Sequence, residues 1–369
     1  MSADRKKRKV AVVLSGGGAK GAYEVGVLKA LRKRKVEPEV YCGTSVGSFN
    51  CAMAVSGRTL EEMEDVWVSL THSRVFKLRF DLKQLLTFDP RPPLRFAVES
   101  AKILGGILND SIRTGMSWWQ LIDLDSILVD TSPLADLIRK NVVLDALHRS
   151  DKEICIALTR LKPVDSDPLV FVRKKQISHD HILASCSLPL IFPQVNIGAH
   201  TYCDGGVVMN SPLKPAIDAQ ADEIYVVDLT PPPRTYERAT LPLAYQVLSA
   251  GFSSALRRDI ESAHELNRMY LAAHMQGQLV QDKLEISKMD TTPGTEPEIS
   301  TRHYRYLRIY VIRPDPDPKG IAGFLDFDPQ NAKALIQQGE EEAEMTLSRH
   351  YEKEMVGPSG KKKMALFSQ

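Results

Sequence analysis

Four short segments carry residue types that can do acyl chemistry. Gly43-Thr44-Ser45-Val46-Gly47 is a GxSxG pentapeptide. A serine hydroxyl is a weak nucleophile until a turn exposes it and a base takes its proton. Flanking glycines permit such a turn when a strand precedes and a helix follows. Gly16-Gly17-Gly18-Ala19-Lys20-Gly21 is a loop whose backbone N–H groups can approach an anion closely, helped by the positive end of the next helix. Farther along come Ala184-Ser185-Cys186-Ser187-Leu188-Pro189 and Asp204-Gly205-Gly206. Taken singly, each has a plain reading: a structural serine in a tight turn, a packed turn ended by proline, an ordinary Asp-Gly turn.

The elements around these segments decide between the readings. Val10–Leu14 is an apolar run that stops at the first glycines, which predicts a buried strand. Apolar residues at helical spacing predict a helix from Gly21 to Arg34, a second strand spans Val36–Cys42, and a second helix runs from the GxSxG turn to about Val55. Strand, glycine loop, helix, strand, turn, helix predicts a parallel sheet covered by helices. In such a sheet, loops at the carboxyl ends of neighbouring strands share an edge. The glycine loop can then offer N–H groups to the oxyanion formed at a carbonyl that Ser45 attacks, where each donor is worth roughly 2.7–4 kcal/mol.

Downstream, strands are expected at Ile154–Leu158, Leu169–Arg173, Ala199–Cys203, Ile224–Leu229 and Leu307–Ile312. A long amphipathic helix is expected over Leu243–Met275, and a last one opens at Asp328-Pro329 and reaches about Met355. Asp290–Ser300 reads as a polar linker. The expected organisation is a basic tail at 1–9, a catalytic domain over 10–230, an extension over 231–355 packed on it, and a basic tail at 356–369. Within the catalytic domain, residues 72–130, with Trp118 and Trp119, form an irregular aromatic-rich insertion that can serve as a lid or interfacial surface.

Other classes find less support. A dinucleotide site needs an acid ending the second strand, where Cys42 and Gly43 stand instead, and no Gly-Lys-Ser/Thr closes a P-loop. Net charge is +2, with +5 from Arg5 to Lys9 and +3 from Lys361 to Lys363, so the body carries −6. An acidic body disfavours nucleic acid, whereas basic ends suit contact with an anionic membrane surface. Five cysteines without a CxxC pair fit a reducing compartment, no metal or cofactor site is expected, and no run is long enough to span a bilayer. The expected location is cytoplasmic, peripheral at most to a membrane; oligomeric state is not readable.

The glycine loop with its basic residue, the GxSxG turn, the Ala-Ser-x-Ser-x-Pro segment and Asp-Gly-Gly, in that order, resemble the patatin-like phospholipase family. The resemblance spans about residues 10–230 and implies a three-layer α/β/α fold. It implies Ser45 as nucleophile and Asp204 as general base, a dyad without histidine. It also implies an oxyanion hole from Gly16, Gly17 and Gly18, with Lys20, Gly21, Gly43, Gly47, Gly205 and Gly206 as supporting motif positions. Ser187 stands where the family more often has Ala. The implied substrate is a lipid or phospholipid ester, cleaved in phospholipase A or lysophospholipase fashion.

Three alternatives remain beside it. A Ser-acid-His triad would need a histidine after Asp204; His264 and His274 lie in the long helical stretch, His303 at a loop entrance, and His350 near the end of the last helix. An acyltransferase would use the same dyad with an alcohol or thiol as acceptor. A catalytically silent lipid-binding module would keep the fold alone.

Overall fold

The computed structural model describes residues 8–78, 129–163, 167–189, 192–230, 240–278, 284–290, 298–315 and 323–355. Nearly all of the 72–130 insertion, Trp118 and Trp119 included, lies outside them, as do most of both basic tails.

Eight strands form one sheet: β1 (Val10–Leu14), β2 (Val40–Thr44), β3 (Glu153–Lys162), β4 (Leu169–Arg173), β5 (Val195–Ile197), β6 (His200–Asp204), β7 (Glu223–Val227) and β8 (Arg308–Ile312). Their order is β8-β7-β1-β2-β3-β6-β5, with β4 also paired to β3. The first five strands of that order are parallel, whereas β4, β5 and β6 join through antiparallel ladders. The sheet is the expected helix-covered α/β sheet, mostly parallel, with antiparallel strands added at one end. The direct connection from β5 to β6 forms a hairpin, which only an antiparallel pair can close.

Alternation in β1 builds the layers. Val10, Val12 and Leu14 enter one core, while Ala11 and Val13 enter the other. Both faces are thus covered, as a central parallel strand requires. The first core packs against α1 (Gly21–Lys33), α2 (Val46–Val55), α3 (Leu60–Val68), α4 (Ser132–Asn141), α5 (His179–Ser185) and α8 (Pro329–Met355). The second packs against α6 (Leu213–Asp218) and α7 (Thr240–Met275).

Boundaries moved where tertiary pairing outweighed local pattern. The second strand begins at Val40, because its register with β1 starts at Ala11↔Val40 and the segment before it contains Pro38, which has no N–H to donate. It extends to Thr44, so the first half of the GxSxG pentapeptide is strand. β3 runs on to Lys162 because β6 pairs with its far end. The expected linker over 290–300 is flanked by two strands, Leu284–Asp290 and Glu298–Tyr304, that pair antiparallel; His303 thus lies in a strand. The long helix starts at Thr240.

Residues after 300 complete the body. β8 adds an edge strand beside β7, and α8 lies against α1 so closely that glycines are required on both sides. A Cβ at Gly26 would overlap the Ile336 carbonyl, and one at Gly339 the Tyr23 carbonyl. The Tyr23 hydroxyl donates to Glu342 at 2.6 Å, and Lys33 and Arg34 pair with Glu340 and Glu344 on the rim. The ion pairs are surface ones and add little; the close helix contact carries the docking.

Candidate functional site

Ser45 stands between β2 and α2 with φ 53° and ψ −130°, a conformation costing a non-glycine residue about 1–3 kcal/mol. The neighbouring glycines show why the turn is possible. A Cβ at Gly43 would lie 2.6 Å from the Gly47 carbonyl oxygen, and one at Gly47 would overlap the Leu14 carbonyl. Helix α2 starts at once, with Ser48 N–H donating to the Ser45 carbonyl at 2.9 Å. The Ser45 side chain therefore sits at a helix N-terminus, where partial positive charge favours a developing oxyanion or alkoxide.

The Ala-Ser-x-Ser-x-Pro segment braces this turn. Ser45 N–H donates to Ser185 Oγ at 2.9 Å, and Ser185 Oγ donates to the Ala157 carbonyl of β3 at 2.8 Å. One buried hydroxyl thereby fixes the strained residue to the adjacent strand. The packed-turn reading of this segment undervalued it.

Asp204 ends β6, and the sheet register brings it to Ser45. β4 takes one side of β3 over 155–159, so β2 and β6 share the other: Thr44 pairs with Ala157 and Asp204 with the next residue, Leu158. Because β6 runs antiparallel along the second half of β3 while β2 runs parallel along the first, their carboxyl ends meet head to head at Ala157–Leu158. The Ser45 side chain stands close enough to the Asp204 carboxylate to lower its pKa, and Gly206 N–H donates to Asp204 Oδ1 at 2.7 Å. The Asp204 backbone is tied by Thr159 Oγ1 donating to its carbonyl and by its N–H donating to the Ser187 carbonyl. At Gly205 a Cβ would overlap the Ala157 carbonyl, so glycine is needed there. Burial pushes the carboxyl up to about 7, against the neighbouring Ser45 side chain and the Gly206 N–H, which lower it. Asp204 is 2% exposed and Ser45 6%.

The glycine loop lies against the same point. A Cβ at Gly16 would be 3.0 Å from Ser45 Cβ and 2.5 Å from Asn210 Oδ1. Gly16 N–H is already taken by the Asn210 carbonyl at 3.3 Å, and Asn210 Nδ2 donates back to the Gly16 carbonyl at 3.2 Å. Among the described residues the Gly17 and Gly18 N–H groups donate no hydrogen bond. Gly18, at φ 59°, follows on, and the loop closes in a single 3-10 turn over Gly18–Lys20. Lys20 is fully buried, and a Cβ at Gly21 would press on Val46 and Trp67.

Asn210 is the residue that sequence reading missed. Its side chain touches both Gly16 and Gly206 and donates to Thr230 Oγ1 at 3.1 Å, so it couples the glycine loop to the Asp-Gly-Gly turn. The only available signal was its spacing six residues after Asp204. His264 and His274 lie in α7, on the opposite side of the sheet from α2, and no described histidine contacts Ser45 or Asp204 through an assigned hydrogen bond.

Above Ser45 opens a narrow cleft, partly continuous with solvent, with an interior volume of about 40 Å³. Its walls are apolar, among them Phe49, Trp67, Leu134 and Phe192. Among the described residues no cluster of ligating side chains suits a metal ion, and no helix is long and apolar enough to cross a membrane.

A family model described as Patatin-like phospholipase matches residues 12–217, more than half of the chain, and the protein belongs to that family. The relatives matched in sequence include Triacylglycerol lipase SDP1L of Arabidopsis thaliana, 37% identical over 68 residues, which are 18% of this chain and 8% of the relative. Lysophospholipase nte1 of Aspergillus terreus is 48% identical over 46 residues, 12% of this chain and 3% of its own. Human Patatin-like phospholipase domain-containing protein 6 is 46% identical over 50 residues, 14% and 4%. The matched stretches are therefore less than a tenth of each relative's length. Among solved structures, VipD from Legionella pneumophila aligns over 94% of this chain and 67% of its own at 15% identity, with a TM-score of 0.43, too low to bear on the site.

Proposed function

We propose that the protein is a serine acyl hydrolase acting on carboxylic esters of lipids, of phospholipase A or lysophospholipase type. The observation that carries this is Ser45 at the floor of an apolar cleft with a buried Asp204 carboxylate beside it. A carboxylate in water, with a pKa near 4, is a poor base for a serine hydroxyl. Burial raises Asp204 to about 7, which brings the base close to working pH.

Ser45 Oγ attacks the ester carbonyl carbon while its proton passes to Asp204. Negative charge on the carbonyl oxygen is met by the Gly17 and Gly18 amides and by the N-terminus of α2. The ester C–O bond then breaks, and the leaving alcohol takes the proton from Asp204. Water attacks the acyl-enzyme, gives its proton to Asp204, and Ser45 leaves with that proton. Lipid as substrate is supported by family membership, by the relatives' names and by the apolar cleft.

Labelling with a fluorophosphonate, followed by mapping of the modified peptide, tests this reading. Label is expected on Ser45 alone, and it should vanish in Ser45→Ala and drop at least a thousandfold in rate in Asp204→Asn. Labelling elsewhere, or none in the folded wild-type protein, overturns it.

A further inference from the structure

The cleft at Ser45 has walls of two origins. Ser45, Trp67, Leu134 and Phe192 belong to the segment that the family model matches, whereas Phe324, Leu325 and Phe327 come from about a hundred residues beyond it. We infer that Phe324 and Phe327 are specificity-determining residues that bound an acyl-chain subsite, so that this protein's C-terminal segment selects the length of the acyl group presented to Ser45. The inference rests on the reading of the site just proposed.

Placement makes the case. The Phe324 backbone lies directly on Gly18: a Cβ there would overlap the Phe324 carbonyl and come within 2.9 Å of its ring. Phe324 therefore touches the loop that flanks Ser45 and lines the cleft beside it. Phe327 stands edge-on to His72 with centroids 6.3 Å apart, and the ring contacts continue from His72 to Phe76 and from Phe76 to Phe192 at 5.8 Å. Phe327 and Phe192, the two ends of this chain of rings, both line the cleft.

This wall is held rigidly. Asp328 Oδ1 caps α8 by accepting from Gln330 N–H at 2.9 Å and Asn331 N–H at 3.0 Å, and Asn331 Nδ2 donates to the Asp326 carbonyl at 3.1 Å. Helix α8 is in turn locked on α1 at Gly26 and Gly339. Rings mounted on a fixed helix start set a length limit, whereas a mobile wall would yield to longer chains.

Each methylene buried in an apolar subsite changes affinity about fourfold, and a chain that reaches a fixed wall loses that gain. The test uses alkyl fluorophosphonates from ethyl to hexadecyl on wild type, Phe324→Leu, Phe327→Leu and Phe327→Ala, reading the labelling rate at Ser45 against chain length. Wild type is expected to gain rate with each methylene up to a limit, and the variants to move that limit to longer chains, changing the long-to-short ratio by about tenfold or more. Binding of free saturated fatty acids to Ser45→Ala, with and without Phe327→Leu, gives the same comparison without chemistry. Labelling at Ser45 with a profile unchanged by every variant overturns the subsite and leaves the nucleophile standing. Absence of label in wild type overturns the nucleophile. The fatty-acid titration then decides the subsite: a chain-length limit shifted by Phe327→Leu supports it, and no such shift rejects it.

Discussion

Asp204→Asn should remove activity and yet make the protein more stable at neutral and alkaline pH. Burial raises the Asp204 carboxyl from 3.8 to about 7, a displacement of about 3 units. At 1.36 kcal/mol per unit, holding the ionised carboxylate in the fold costs about 4 kcal/mol. The sign follows from proton binding. Between the unfolded and folded values the native state holds a proton that the unfolded chain has lost, so stability falls as pH rises through that window and levels off above about 7. Asparagine keeps the shape and an acceptor for Gly206 N–H but carries no charge, so its contribution is flat. The stability difference between variant and wild type should therefore grow by about 2–3 kcal/mol from pH 5 to pH 8, read by urea unfolding at each pH. The same group should govern the rate. If Asp204 is the base, kcat/KM of the wild type rises about tenfold per pH unit below about 7 and becomes constant above about 8. A stability difference independent of pH, or a rate limb with its midpoint near 4, would refute the claim that burial tunes this carboxylate.

The remaining predictions concern the framework. At pH 5, Ser45→Gly should be more stable than Ser45→Ala by about 1 kcal/mol, reversing the usual order, because only glycine adopts φ 53° without strain; the usual order in urea unfolding would deny that strain. Ser185→Ala should lose about 2–3 kcal/mol and slow labelling of Ser45, since it leaves the Ser45 N–H and the Ala157 carbonyl unpaired in a buried place; wild-type stability and labelling would remove Ser185 as the brace. Gly26→Ala should cost about 1–3 kcal/mol by forcing α8 away from α1. By contrast Gly251→Ala, within α7 and with open space around its Cα, should gain about 0.5–1 kcal/mol. Equal thermal shifts for the two glycine variants would show that the α1–α8 contact is not close.

Local chemistry made one part of this protein legible in its sequence. The run Val10–Leu14, its glycine loop, helix α1 and the GxSxG turn are set by neighbours a few residues apart, and glycine is read directly wherever a Cβ would strike backbone. Asp328-Pro329 likewise announced the start of α8, because a cap is a local hydrogen bond. The order of strands was not local. Nothing in His200–Asp204 says that it runs antiparallel to β3, yet that reversal, through the Leu158↔Asp204 register, brings Asp204 to Ser45. Asn210, Ser185 and Phe324 matter through partners 20 to more than 300 residues away in the chain, for which pattern and spacing leave no trace. Asp204's pKa is collective in the same way. Any aspartate in an Asp-Gly turn looks alike in sequence, and only the assembled body, by excluding water from this one, moves its carboxyl from 3.8 to about 7.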